Sequence, residues 1–133
     1  MWNYIRSSGK LFLVTALLAI FGCDKQPVIV PEENLIISTD AALFEITPGP
    51  DFEFNLKVES AMPASGVKIE YDIIGEADNQ NYTNGPPVTT TEKITKIKIS
   101  FLPRQKICVV RITVTSKSSG TNKALTSFRV TYK

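Results

Sequence analysis

The chain has 133 residues, 43% hydrophobic and 21% charged, which is the size and composition of one globular domain. It contains no histidine and only two cysteines, which removes the commonest general base and every Ser-His or Cys-His nucleophile pair. The formal charge is +2, and setting aside Arg6 and Lys10 leaves 13 basic against 13 acidic residues, so the total offers no basic funnel for nucleic acid.

The first element is an export signal. Arg6 and Lys10 form a positive start, and Leu11–Phe21 is an apolar run interrupted only by Thr15. The run is about half of the roughly 20 apolar residues that a spanning helix needs. Its apolar side chains would point all ways around a helix, so it is no amphipathic core helix. It ends in Ile20-Phe21-Gly22-Cys23. These four residues resemble a lipobox, the processing site of bacterial lipoprotein precursors. Ile20 and Gly22 match its pattern, and Phe21 is bulkier than the small residue usual there. The resemblance implies a diacylglyceryl group on the Cys23 sulfur, cleavage between Gly22 and Cys23, and acylation of the new amine. Residues 1–22 would then be the signal peptide and palmitate-like chains on Cys23 the membrane anchor. Three acyl chains at about 0.8 kcal/mol per buried methylene hold far better than a single myristoyl group.

Asp24 follows the cysteine, and in enterobacterial sorting, as the resemblance implies, aspartate there retains a lipoprotein in the inner membrane. Because other bacterial groups sort differently, the expected location is the cell envelope, at the outer membrane or the outer face of the inner membrane. Residues 23–34 carry two prolines and read as the lipidated cysteine and a short, stiff tether.

From residue 35 to 133 the hydrophobic period is two. Phe52, Phe54, Leu56 and Val58 alternate with polar residues, as do Val67, Ile69, Tyr71 and Ile73. The same holds for Ile97, Ile99 and Phe101, then Cys108, Val110, Ile112 and Val114, then Phe128, Val130 and Tyr132. Strands are predicted near 35–46, 51–60, 67–75, 88–101, 106–117 and 124–133, with a further short one near 80–84. Pro48-Gly49-Pro50, Met62 to Gly66, Asn84-Gly85-Pro86-Pro87, Pro103 and Ser118 to Asn122 punctuate them. The expected fold is all-β, one immunoglobulin-like antiparallel sandwich of six to seven strands. The final 26 residues, from Cys108, resemble the last hairpin of bacterial immunoglobulin-like and fibronectin-III-like domains. The tryptophan and disulfide of antibody-type domains are missing. Phe54, Tyr71, Ile99, Val110, Ile112 and Phe128 are expected in the core, with Cys108 a buried, inert thiol.

Charge is split along the chain. Residues 24–92 hold all 13 acidic residues and three basic ones, whereas 93–133 hold ten basic residues and no acidic one. In a sandwich of this type the split places Glu53, Asn55 and Glu59 beside Lys96 and Lys98, and Glu70 and Asp72 near Arg111. Opposite charges across a strand pair favour one register. Arg129 and Lys133 lack an acidic neighbour in that scheme and are free to meet an anionic partner.

The longest polar loop, Gly75–Pro87, offers oxygen donors at Glu76, Asp78, Asn79, Asn81 and Asn84, yet without the spacing of a calcium hand. No phosphate-binding loop, nucleophile elbow or paired Cys-x-x-Cys appears. No metal, cofactor or catalytic residue is expected. The function read from the sequence is a non-enzymatic, membrane-tethered binding or scaffolding module. Its alternatives are an accessory subunit of an envelope assembly, such as a conjugation or secretion apparatus, or a carbohydrate-binding surface lipoprotein. A protein partner would dock on loops 75–88 and 103–106 or add a strand at the edge formed by 124–133. Asp78, Asn81, Tyr82, Arg129 and Lys133 are the candidate binding residues.

Overall fold

Alternation of buried and exposed side chains along Phe52–Val58 is strict from Glu53 onward: Phe54, Leu56 and Val58 are buried, and Glu53, Asn55 and Lys57 are exposed. A similar alternation runs along the other long strands, less strictly. A computed structural model describes residues 30–83 and 85–133; the expected signal, Gly22 and Cys23 lie outside the described residues. In chain order the strands are β1 (Ile37–Thr39), β2 (Phe44–Thr47), β3 (Phe52–Val58), β4 (Val67–Gly75), β5 (Val88–Thr90), β6 (Ile94–Ile99), β7 (Ile107–Ser116) and β8 (Lys123–Tyr132). They form a three-stranded sheet, β1-β3-β6, and a five-stranded sheet, β2-β8-β7-β4-β5. No helix occurs among the described residues.

Eight strands replace the six to seven expected because two predicted strands each divide between sheets. The first, 35–46, breaks at Asp40. Its carboxylate accepts the Asn55 backbone N–H and the Asn55 side-chain amide, both at 2.7 Å, which ends β1 on β3. The chain then crosses to pair β2 with β8 in parallel. The strand predicted at 88–101 divides at 91–93. β5 stays on β4, while the Lys93 carbonyl accepts the Val58 N–H at 2.8 Å and starts β6 on β3. The strand near 80–84 is reduced to a single bridge between Ile74 and Asn81.

The core lies between the sheets. Leu56, Ile69, Ile73, Ile99, Ile112 and Val130 are almost wholly enclosed, and Leu35 and Leu102 close its two ends. Phe54 meets Phe128 edge-on at 5.0 Å, and Phe52 tilts onto Phe128 at 5.8 Å, so an aromatic cluster joins the two sheets. Cys108 is free and buried, and burial pushes its thiol pKa up. Two expectations need correction. Tyr71 faces the core side of β4 but is only partly buried. Phe101, expected in phase with Ile97 and Ile99, is exposed: its left-handed φ of 60° turns Leu102 into the core instead.

The charge split resolves largely as cross-strand pairing. Glu53 stands opposite Lys98 and Asn55 opposite Lys96 on the outer face of the three-stranded sheet. Glu59 departs from the scheme, pairing with Lys57 at 2.8 Å and accepting the Ser38 hydroxyl at 2.6 Å. On the other sheet Asp72 stands opposite Arg111, whereas Glu70 pairs with Lys68 along its own strand.

Candidate functional site

Two neighbouring features could meet a partner: the loop after β4, and the outer face of the five-stranded sheet. The loop folds back on its own strand. Gly75 and Tyr82 donate backbone N–H groups to Gln80 and Ile73, at 2.8 and 2.7 Å, and the Asp78 and Asn81 side chains cap turns at Gln80 and Thr83. Gly75 is required here, because a Cβ would collide with the Asp78 carboxylate and crowd the Tyr82 ring.

Asp78, Tyr82 and Lys106 form the centre of this loop. Lys106 Nζ donates to Asp78 Oδ2 at 2.6 Å and to Tyr82 Oη at 2.8 Å, and it lies 5.4 Å from the Tyr82 ring centroid. The Tyr82 hydroxyl also donates to Asp78 Oδ2 at 2.8 Å. The Lys106 ammonium, then the Gln80 N–H and the Tyr82 hydroxyl, lower the Asp78 pKa to about 2. The hydrogen bond to Asp78, then that to Tyr82, raises the pKa of Lys106. The carboxylate is therefore ionised and the amine protonated across the physiological range, which suits a fixed ion pair rather than proton exchange. Beside them lies an open hollow of about 420 Å³, lined by residues 75–78 and 105–107. Among the described residues no group of three or more His, Cys, Asp or Glu side chains is placed to hold a metal ion.

The outer face of the five-stranded sheet carries an apolar band. Register aligns Phe44, Arg129, Val109 and Ile74 across β2, β8, β7 and β4, and next to them Ile46, Thr131 and Ile107. Phe44, Ile46 and Ile107 are all exposed large apolar side chains. Arg129 crosses the band: its guanidinium sits 5.2 Å from the Phe44 ring centroid and donates to Glu76 at 2.6 Å. The outer face of the other sheet has a different character. Its outward positions on β3 and β6 are Glu53, Asn55, Lys57, Ile94, Lys96 and Lys98, with ion pairs from Lys96 to Glu53 and from Lys98 to Asp51 and with Ile94 exposed at the start of β6.

Of the predicted residues, the structure brings Asp78 and Tyr82 together, sets Asn81 in the adjoining turn, and links Arg129 to the same loop through Glu76. This corrects the expectation that Arg129 lacks an acidic neighbour. Lys133 lies past the end of β8, its N–H donating to the Thr47 carbonyl at 3.3 Å. The predicted free edge at 124–133 is corrected in part: β2 pairs with Arg129–Tyr132, whereas among the described residues Lys123–Phe128 have a strand partner only in β7. Over Arg129–Tyr132 the edge strand is β2, four residues long, and Glu45 occupies an inward-phase position on it, two features that oppose strand addition there. Phe44, Ile46 and Ile107 were missed as surface residues. For Phe44 and Ile46 the signal was present as alternation around Glu45, but alternation does not say which set faces water.

No protein-family model matches the chain, and no curated protein matches it. Among solved structures it is similar to the solution NMR structure of a conjugate transposon protein, residues 27–141, from Bacteroides vulgatus. The identity is 11% and the TM-score 0.49, over 77% of this chain and 87% of that chain. A likeness at that level carries no argument about partner or activity.

Proposed function

We propose that this chain is a lipid-anchored protein of the bacterial cell envelope whose immunoglobulin-like sandwich is a non-enzymatic docking module for another protein. The lipobox-like Ile20-Phe21-Gly22-Cys23 supports the anchor. The strand orders, with β3 beside β6 and β4 beside β7, support the immunoglobulin-like reading.

The observation that carries the docking role is the contrast between the two outer faces. One is mostly charged and amide, with Ile94 exposed at the start of β6; the other carries an apolar band crossed by Arg129, beside Glu76, Asp78 and Lys106. An apolar centre with a polar rim is the composition of a protein interface. The absence of histidine and the locked Asp78–Lys106 pair support a role without catalysis.

The test is site-specific photo-crosslinking in cells, with the photoreactive residue at Ile46 or Ile107 on one face and at Asn55 on the other. The expected result is one defined protein adduct from Ile46 and Ile107 and none from Asn55. Equal crosslinking from both faces would remove the assignment.

A further inference from the structure

The linker between the proposed anchor and the sandwich is docked at one particular end of the domain. Asn122, at the β7–β8 turn, donates its side-chain amide to Glu32 and to the Glu33 carbonyl, and its Oδ1 accepts the Leu35 N–H at 3.0 Å. Glu33 in turn accepts the Ala61 N–H at 2.9 Å, and the Ile36 carbonyl accepts the Glu59 N–H at 2.7 Å. The chain is thus clamped from Glu32 onward against loops 59–66 and 117–122. Only eight residues, 24–31, separate that clamp from Cys23. Fully extended they reach roughly 26 Å, at about 3.3 Å per residue.

The same end carries exposed aliphatic side chains. Ile36 follows the clamp, Ile94 starts β6 beside loop 91–93, and Leu125 lies just past loop 117–122; all three are more than half exposed. Ile94 is on the outer face of the three-stranded sheet and Leu125 on the outer face of the five-stranded one, so a flat protein face laid along either sheet would not cover both. Charges there are mixed, with Glu32, Glu33, Glu59 and Glu92 among Lys57, Lys93, Lys117 and Lys123, so net charge supplies no attraction of its own.

We propose that the end formed by loops 59–66, 91–93 and 117–122 rests on the lipid bilayer surface, with its aliphatic rim at the headgroups. The apolar band and the 75–87 loop are then held toward the opposite end. β7 runs between the two ends over ten residues, roughly 33 Å at about 3.3 Å per residue. This inference rests on lipid attachment at Cys23.

The experiment uses the full lipidated protein in vesicles of phosphatidylethanolamine with a varied fraction of phosphatidylglycerol. A fluorophore is placed on Gly120→Cys or Ala77→Cys, and quenching by a headgroup spin-labelled lipid is read. A Cβ at Gly120 meets nothing within 4 Å, and the native Cys108 is buried away from the label. The expected result is loss of most of the signal at position 120, little loss at 77, and no dependence on the phosphatidylglycerol fraction. Lipidated protein quenched equally at both sites, more at 77, or at neither would overturn the orientation alone. Quenching at 120 that appears only with phosphatidylglycerol would overturn the apolar contact. Mass spectrometry showing an unmodified Cys23 would overturn the anchor, and the orientation with it.

Discussion

Lys96 pairs with Glu53 at 2.7 Å, although the residue directly opposite Glu53 in the β3–β6 register is Lys98. Lys98 instead reaches Asp51 at 3.0 Å, so the ion pairs run diagonally across the ladder. Reversing Lys96 and Lys98 to Glu should lower the urea midpoint modestly, because all four groups are exposed and screened. Adding Glu53→Lys and Asp51→Lys should recover part of the loss, and Glu59→Lys should recover none, since Glu59 pairs with Lys57. Equal rescue by Glu59→Lys would show that net charge, not this geometry, is what matters.

Asp78 provides a pH readout. Its pKa is lowered from 3.8 to about 2 by Lys106, Gln80 and Tyr82. A depressed carboxylate contributes stability that is fully present above its unfolded pKa and is lost as pH falls through the folded one. The contribution of Asp78 should therefore be complete above about pH 5 and fade between about pH 4 and 2. Carbon-detected NMR titration should find the low value, and Lys106→Met should return it toward 3.8. An Asp78 that titrates normally in the native chain would dissolve the ion pair.

Burial separates two phenylalanines that look alike in composition. Phe128 is buried between Phe52 and Phe54, and its truncation to Ala should cost about 3–5 kcal/mol in urea unfolding. Phe44 is 42% exposed on the outer face, and Phe44→Ala should cost under about 1 kcal/mol. A large loss from Phe44→Ala would mean that the band serves stability rather than docking.

Asn122 holds the linker through three hydrogen bonds. Asn122→Ala should leave the β-sheet circular-dichroism signal unchanged while speeding amide exchange at Leu35, whose N–H loses its acceptor. Unchanged protection at Leu35 would show that its burial alone keeps the segment in place.

The proposed anchor has its own check. Cys23→Ala should abolish lipid labelling and leave an uncut precursor, because modification and cleavage both depend on the thiol. Normal-sized, membrane-bound protein from that variant would end the lipoprotein reading.

Period-two alternation was enough to place β4 at Val67–Gly75 with no error and to put Ile99, Val110, Ile112 and Phe128 inside. These are local outcomes, since a strand that separates apolar from polar side chains has declared its two faces before it meets a neighbour. Tertiary structure alone decided that 35–46 would split at Asp40, that β2 would run parallel to β8, and that Arg129 would find Glu76. It also decided that Phe44 and Ile46 face water while Glu45 takes the inward phase. Which strand lies at an edge, and which of two alternating sets is covered, depends on partners far away in the chain. A residue's own neighbours carry no record of that choice.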